Sequence, residues 1–322
     1  MKNRSSTALF AALALAFGPA MAQDPWPSKP IKFMVAYSAG GTADQIARIV
    51  GNQLSKDLKQ PVVIDNRPGA SGMIGGSACK SASPDGYTFC VFLSDVVTIN
   101  PALRKKVPYT PETDFVPVAL LADHIQVLVA STKSGIKDVN GLVNRAKQDP
   151  ASTNWGSWGI GSSGHLLLST IEKASNTTIT HVPYVNTPAL ITATLTNEVS
   201  ATVAGYGLVR GYIDQQQMRP FAVMGTKRLS FLPDVPTLEE QGIPFRATLW
   251  YGLFAPAGTS PKIVNDMNAA VNKAVEQAVA TKAIDLKTVT TRSDTQPEFA
   301  EFVTRESTVW RDVARRSGIK LD

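Results

Sequence analysis

From residue 31 onward, short apolar runs alternate with longer amphipathic stretches. Short runs rich in β-branched and aromatic residues predict buried strands, whereas apolar residues three and four apart predict helices. The predicted strands are 31–36, 62–65, 87–93, 127–130, 154–158, 200–204, 219–224 and 249–255. The predicted helices are 43–58, 73–80, 141–148, 164–174, 188–196, 261–279 and 299–317. The opening β-α-β-α-β order predicts an α/β protein containing a parallel sheet with right-handed crossovers.

The first 22 residues have the pattern of a secretory signal peptide. Lys2 and Arg4 precede an apolar run over residues 8–17, and Pro19-Ala-Met-Ala22 supplies a small-residue cleavage pattern. The alternative is a membrane anchor, but a spanning helix needs about 20 apolar residues and this run is shorter. We therefore expect an exported protein that is cleaved after Ala22.

Composition and charge narrow the class of protein. The chain has 322 residues, 43% of them hydrophobic and 18% charged, which allows two domains with their own cores. The net charge of +6 comes from 32 basic and 26 acidic residues that are scattered along the chain. Without a basic stripe interleaved with aromatic residues, the sequence does not indicate a nucleic-acid-binding protein.

Cys79 and Cys90 are the two cysteines. In an oxidising compartment they can form a disulfide bond, because they lie near a predicted helix end and in the next predicted strand. They can equally be two small buried apolar residues. Two cysteines without a nearby histidine do not predict a metal site.

The most informative stretch is 34–48, where a strand runs into a loop with paired glycines and then into a helix. Gly40 and Gly41 permit close backbone approach, Ser38 and Thr42 add hydroxyl donors, and Asp44 lies in the first helical turn. Free N–H groups at a helix start bind anions. The nucleotide-binding glycine spacings are missing here. The loop therefore predicts an anion site, with an ordinary βα turn as the alternative.

A second loop of this kind lies about half a chain away, in residues 157–165. Ser157, Ser162, Ser163 and His165 offer hydroxyl and imidazole donors at another predicted helix start. Trp155 and Trp158 flank this loop, and we expect one of them to line the site. Two anion-binding turns predict a ligand with two anionic ends.

Polar residues follow two further predicted strands. Ser71 lies beyond strand 62–65, and Ser94 and Asp95 lie beyond strand 87–93. Ligands of open α/β sheets bind beyond the carboxyl ends of strands, so these residues are expected beside the first loop. A catalytic triad of Ser94, His165 and Asp95 can be drawn, but the chain has no G-x-S-x-G elbow.

Several fragments, in this order, resemble the Bug-type receptors of tripartite tricarboxylate transporters over nearly the whole chain after residue 22. The fragments are Trp26-Pro-Ser-Lys-Pro-Ile31, Ala39-Gly-Gly-Thr-Ala-Asp44, Val62-Val-Ile-Asp-Asn-Arg-Pro-Gly-Ala70, Ser83-Pro-Asp-Gly-Tyr-Thr88, Gly161-Ser-Ser-Gly-His165, His181-Val-Pro-Tyr184, Leu232-Pro-Asp-Val-Pro-Thr237 and Trp250-Tyr-Gly-Leu-Phe-Ala-Pro-Ala-Gly258.

The resemblance implies a type II periplasmic binding protein with two doubly wound domains, a hinge and a central ligand cleft. The expected division is a signal peptide at 1–22, a first domain of 23–124 plus 225–322, and a second domain of 125–224. It also implies a periplasmic monomer that is not an enzyme, takes a small carboxylate, and passes it to transporter subunits in the membrane. No nucleic acid, metal or cofactor is expected.

The candidate ligand contacts combine the loop residues with positions carried over from the family. They are Tyr37, Ser38, Ala39, Gly40, Gly41, Thr42, Asp44, Ser71, Ser94, Asp95, Ser157, Trp158, Gly161, Ser162, Ser163, His165, Gly205 and Tyr206, with the segment 184–187 as a weaker candidate.

Three departures from the family pattern bear on the ligand. Trp158 stands where a small residue is usual, the segment 184–188 is one residue shorter, and Ala204-Gly-Tyr206 replaces a stretch that often carries Asp-Asn. Loss of that acidic residue disfavours an amino acid, and two flat rings favour an apolar centre. The sequence thus predicts a dicarboxylate, aromatic diacids of the phthalate and terephthalate type included. The alternatives are a receptor that reports to a sensor kinase, and an exported hydrolase.

Overall fold

A computed structural model describes residues 26–184 and 186–321, which fold around two mixed β-sheets. The predicted signal peptide and its cleavage site lie outside the described residues. The first sheet has six strands: β1 (Ile31–Val35), β2 (Val62–Asn66), β3 (Thr88–Leu93), β4 (Phe115–His124), β10 (Leu249–Pro256) and β11 (Val289–Thr290). The second has five: β5 (Gln126–Ser131), β6 (Asn154–Ser157), β7 (Thr180–Pro183), β8 (Ala201–Gly205) and β9 (Met218–Met224).

The helices cover both faces of these sheets. They are α1 (Thr42–Leu58), α2 (Met73–Lys80), α3 (Ile99–Leu103), α4 (Pro111–Asp114), α5 (Val139–Gln148), α6 (Ser163–Ser175), α7 (Thr187–Leu195), α8 (Tyr206–Asp214), α9 (Pro261–Ala280) and α10 (Gln296–Ser317). No described helix combines the length and apolarity that crossing a membrane requires. The expected two-domain α/β fold is confirmed.

Each sheet combines parallel strands with one central antiparallel strand. In the first sheet, β1 pairs in parallel with β2 and β3, and β10 runs antiparallel between β3 and β4. In the second, β6 pairs in parallel with β7 and β8, and β5 runs antiparallel between β8 and β9. The start of an antiparallel strand therefore lies at the same sheet edge as the ends of its parallel neighbours.

Ile125 is the single residue that joins β4 of the first sheet to β5 of the second. β4 ends at His124 and β5 begins at Gln126, so the strand-end edges of both sheets lie near this crossing. The core is shared as well, because Trp310 of α10 packs in one buried cluster with Leu103 of the first half and Leu128 and Trp155 of the second.

Residues 225–248, which lead from β9 back to β10, were expected in the first domain, and part of this segment bonds to elements of the second sheet. The N–H of Val223 donates to Pro236 O, and the Gln241 side chain bonds both Val139 N–H and Phe221 O. These bonds attach the segment to β9 and α5. The domain boundaries remain predictions.

The sequence analysis missed three strands, β4, β7 and β11, and three short helices, α3, α4 and α8. β4 was read only as a proline-rich connection, but Pro117 lies where β4 pairs on one side alone, so its missing N–H removes no ladder bond. β7 is short, and α8 carries Gly207 and Gly211, which are poor helix formers.

A disulfide bond joins Cys79 of α2 to Cys90 of β3 and resolves the alternative left open by the sequence. Both residues are fully buried, so the bond ties α2 to the sheet from inside the core.

We predict that the double substitution Cys79→Ala and Cys90→Ala lowers the free energy of unfolding by about 2–4 kcal/mol, because it frees an intervening loop in the unfolded chain. Urea unfolding of the oxidised wild type and the variant measures this difference. Reduced wild type is the control and should resemble the variant, and equal stability of all three forms would contradict the prediction.

Candidate functional site

A cavity of about 310 Å³ lies between the strand-end edges of the two sheets. Its polar wall consists of Thr42, Ser71, Asp95, Asn100, Arg104, His124, Gln126, Gly161, Ser162, Ser163, Thr187 and Gly205. Its apolar wall consists of Leu93, Ile99, Trp158, Ile160, Leu208, Leu249 and Tyr251. Residues from both sheets thus form one site, which is polar at several points and apolar elsewhere.

The first loop contributes Thr42 to the cavity wall. Ser38, Ala39, Gly40 and Gly41 are exposed and lie off this wall, so the expected contacts from these four residues are not found here. α1 begins at Thr42, and the N–H groups of Thr42 and Ala43 have no acceptor among the described residues. The open amides of this loop are therefore in the first helical turn, beyond the glycines.

Asp44 holds this loop together and does not reach the cavity. Its carboxylate accepts hydrogen bonds from Gly40 N–H at 2.9 Å, Arg48 Nε at 2.9 Å and Asn66 Nδ2 at 3.0 Å. The hydrogen bond from Arg48 is the main cause that lowers the pKa of Asp44. Its acceptors are thus engaged by Gly40, Arg48 and Asn66, and the expected ligand contact at Asp44 stays a prediction.

The turn before α2 is held in an uncommon backbone conformation at the cavity. Gly69, Ala70, Ser71 and Gly72 all have positive φ, at 127°, 48°, 52° and 81°. For the two non-glycine residues this geometry costs energy, and surrounding contacts must maintain it. Asn100 Nδ2 donates to Ser71 O at 2.8 Å, which fixes Ser71 on the wall.

Asp95 follows β3 and lies on the wall, whereas its neighbour Ser94 is buried behind it. The Tyr37 hydroxyl donates a hydrogen bond to the Asp95 carboxyl, so Tyr37 supports the wall from behind. Burial raises the pKa of Asp95 to about 7, and this outweighs the hydrogen bond from Tyr37 that lowers it. Ser94 Oγ has no hydrogen-bond partner among the described residues.

The second loop is organised by two stacked histidines. The rings of His165 and His181 lie 4.1 Å apart at an angle of 5°. His165 Nδ1 accepts from Gly161 N–H at 3.1 Å, and His181 Nε2 lies 2.6 Å from Ser157 Oγ. Neither His165 nor Ser157 lines the cavity in this structure, and both hold the loop in place; their expected ligand contacts stay predictions.

Gly161, Ser162 and Ser163 do line the cavity, at the start of α6. Ser162 caps the helix by accepting from His165 N–H, which leaves the N–H groups of Ser163 and Gly164 without an acceptor among the described residues. Gly161 has φ of 80°, and a Cβ atom there would lie 2.4 Å from Leu321 Cδ1. The start of α6 is thus the second place where open amides meet the cavity.

The aromatic side chains that were expected to line the site, one of the two tryptophans and Tyr206, differ in where the structure places them. Trp158 is half-buried on the wall, and its Nε1 donates to Thr187 Oγ1 at 3.1 Å. Trp155 is fully buried and donates to Gly164 O. Tyr206 is buried beside Phe231 with its N–H bonded to Ile125 O, so the expected second flat surface at Tyr206 is wrong. Gly205 and Leu208 occupy that part of the wall instead.

Sequence reasoning missed three polar residues with unmet hydrogen-bonding capacity. Arg104 Nε, His124 Nδ1 and Gln126 Oε1 are buried atoms without a partner among the described residues. Buried polar atoms are rarely left unpaired, so such atoms on a cavity wall indicate that the cavity takes a polar occupant. Burial lowers the pKa of His124 to about 4, which makes it neutral at pH 7.

Arg104 stands out because it is the cation on this wall. The chain end positions it: Leu321 N–H donates to Leu103 O at 2.9 Å, and Leu321 forms a β-bridge with Arg104. The sequence Arg104-Lys105-Lys106 did not indicate a site residue, because adjacent basic residues are usually solvated. Lys105 and Lys106 are indeed exposed, whereas Arg104 is half-buried.

The drawn triad of Ser94, His165 and Asp95 is wrong. Asp95 bonds Tyr37, and His165 accepts from Gly161 through Nδ1. Ser94 Oγ is buried, and no described residue bonds it. Residues 26–184 and 186–321 also contain no group of three or more side chains placed to hold a metal ion.

A second cavity of about 560 Å³ shares His124 and Leu249 with the first and is lined by several cations. Most of these cations are paired with carboxylates: Arg228 with Glu240, Arg246 with Glu239, and Arg292 with Asp123 and Asp294. The first cavity, with open amides, is therefore the better candidate for an anion.

Two α/β sheets with a cavity between their facing strand ends are the architecture that periplasmic binding proteins share. A family model described as "Tripartite tricarboxylate transporter family receptor" matches residues 46–319, and the chain belongs to this family.

Individual relatives and structures agree with the family. BugT of Bordetella pertussis is 30% identical over 300 residues, covering 92% of each protein. The structure of R. palustris Rpa4515 with adipate is 28% identical with a TM-score of 0.81, covering 92% of this chain and 99% of that one. MatC from Rhodopseudomonas palustris with bound malate is 27% identical with a TM-score of 0.77, covering 90% and 100%.

The stacked histidines make stability depend on pH. Burial, and to a lesser degree the neighbouring His165, lowers the pKa of His181 from 6.5 to about 4. A histidine that is neutral in the fold and charges in the unfolded chain stabilises the fold above pH 6.5, and this contribution is lost as the pH falls towards 4.

We therefore predict that the free energy of unfolding falls between about pH 6.5 and pH 4, and that it falls less steeply in His181→Gln. Urea unfolding at several pH values measures both slopes. The slope of the free energy of unfolding against pH is compared, and not its absolute value, because Gln also changes the bond to Ser157. Equal slopes in the two proteins would contradict the prediction.

Proposed function

We propose that this receptor captures a small dicarboxylate with an apolar middle and delivers it to a tripartite tricarboxylate transporter. The observation that carries the proposal is the cavity wall itself. Open amides at the starts of α1 and α6, together with Arg104, suit anionic groups, and the apolar wall beside Trp158 suits a hydrocarbon centre. The relatives with adipate and malate support a dicarboxylate, because both of those ligands are diacids.

We propose that ligand binds to one half first and that closure of the two halves adds the second set of donors. Excluding water strengthens each hydrogen bond. A hydrogen bond to a charged group contributes about 1.5–3 kcal/mol, so four of them contribute roughly 6–12 kcal/mol before the costs of association. Affinity of about micromolar or tighter is then reasonable. A monomer in the periplasm is sufficient for this mechanism.

Calorimetric titration of the purified protein tests the proposed ligand class. The panel contains terephthalate, phthalate, adipate, malate, citrate and aspartate. We expect saturable one-to-one binding of at least one diacid with an apolar centre. Tight binding of citrate or aspartate, with no response to any apolar-centred diacid, would overturn the proposed class.

The flat face of Trp158 generates a prediction about selectivity. We expect Trp158→Ala to weaken terephthalate by about tenfold more than adipate, because an aromatic pair contributes about 0.5–1.5 kcal/mol beyond its buried area. Trp158→Phe is the matched control: it keeps a ring and loses only the bond to Thr187. Titration of both ligands against all three proteins measures the difference, and equal losses for the two ligands would show that stacking does not select aromatic diacids.

Arg104 is proposed to pair with one carboxylate of the ligand. We predict that Arg104→Gln weakens diacid binding by about 10- to 100-fold, which corresponds to the loss of one charged hydrogen-bonding partner. Lys105→Gln makes the same change of charge one residue away at an exposed site and should leave affinity within about twofold. Calorimetry on both variants separates a local pair from a general charge effect, and similar losses in both would contradict the pairing.

A further inference from the structure

Asp95 is an anomaly in a cavity proposed to receive carboxylates. Its carboxyl is on the wall, where an ionised aspartate would repel the ligand. Within residues 26–184 and 186–321, no basic side-chain nitrogen lies within 4.0 Å of that carboxyl. A nearby cation of the protein therefore does not neutralise it.

The groups that face Asp95 come from several elements and are mostly uncharged. Tyr37, after β1, donates its hydroxyl to the carboxyl. Tyr251 of β10 and Tyr109 also lie near the carboxyl: burial, and to a lesser degree the Asp95 charge, raises the pKa of each. Neutral His124 and the cation Arg104 share the same cavity wall.

These surroundings favour the protonated acid. Burial raises the pKa of Asp95 to about 7, although the Tyr37 hydroxyl and the backbone amides of Val96 and Asp95 lower it in part. A second carboxylate brought beside it raises the pKa further, since two carboxylates in one site cannot both ionise without repulsion. A protonated acid can also donate a hydrogen bond, which an ionised one cannot.

We propose that Asp95 is a specificity-determining residue that is protonated in the complex and donates its O–H to a carboxylate of the ligand. The proton comes from solvent, so each dianion is captured together with one proton. Tyr37 is the positioning residue, because its hydroxyl occupies the other acceptor and directs the acid proton towards the cavity. This inference rests on the proposed function, that the cavity takes a carboxylate.

A competing role for Asp95 is to pair, as an anion, with the ammonium group of a zwitterionic ligand. The two roles differ in their response to Asp95→Asn. Asparagine keeps the shape and offers an N–H donor in place of the acid O–H, so a diacid should still bind. An ammonium group would lose its anionic partner, and affinity for a zwitterion would fall steeply.

The experiment is calorimetric titration of the purified protein with terephthalate and with adipate, from pH 5.5 to 8.5. Each pH uses two buffers of different ionisation enthalpy, so the dependence of the heat on buffer counts the protons taken up. We expect up to one proton per ligand at pH 8 and affinity that falls towards tenfold per pH unit above pH 7. Below pH 6 we expect little proton uptake and constant affinity.

The variants assign that proton to one residue. Asp95→Asn should abolish proton uptake and make affinity independent of pH within about threefold. Asp214→Asn removes an exposed carboxylate elsewhere and should behave as wild type. His124→Gln should keep the proton count, which excludes the histidine on this wall as the acceptor.

The outcomes distinguish failure of this inference from failure of the proposed receptor function on which it rests. Diacid binding with no proton uptake at pH 8, or unchanged uptake in Asp95→Asn, overturns the proton-donor role and leaves the receptor function intact. The wild-type proton count needs no variant, so absence of proton uptake at pH 8 overturns the inference even if a substituted protein fails to fold. If neither diacid binds at any pH, the diacid receptor function and this inference fall together.

Discussion

Between β4 and β5 the chain passes from one sheet to the other through the single residue Ile125, and the geometry of the cavity depends on this short connection. Because β4 ends at His124 and β5 begins at Gln126, the cavity-facing edges of the two sheets lie close together. The antiparallel strands β10 and β5 bring further strand ends to the same edges, so Leu249 lies beside His124, and Gln126 beside Gly205. A site of about 310 Å³ then needs only short loops to complete its wall.

The two loops at the cavity share one construction. In each, a side chain four residues further on accepts the N–H of a glycine: Asp44 for Gly40, and His165 for Gly161. This bond fixes the loop, and the amides of the following helical turn remain open towards the cavity. The side chains of Asp44 and His165 therefore shape the two loops, whereas the backbone amides of the following helical turns remain open for an anion.

The sequence predicted the parts of the fold that follow from periodicity. α1, α2 and α9 lie within one residue of their expected bounds, since apolar spacing and Pro261 at a helix start are local signals. β4 was missed because Pro117 suggests a loop unless one knows that its nitrogen, which carries no hydrogen, faces the unpaired side of the strand. Which of several polar residues reaches the cavity is set by packing, which single-residue patterns do not contain. Tyr206 was consequently placed on the wall, although it is buried.

The charge on the cavity wall is best understood as a balance between Arg104 and Asp95. If both were ionised, the wall would be neutral overall, and a dianion would bring two charges into a poorly solvated space with one partner. If Asp95 holds a proton, Arg104 neutralises one ligand carboxylate and the acid O–H and open amides solvate the other. In a cavity of low effective dielectric, removing a like charge matters as much as adding a partner. The neutral state of His124 follows the same logic: a second cation would be costly to bury, whereas neutral imidazole can still donate or accept a hydrogen bond.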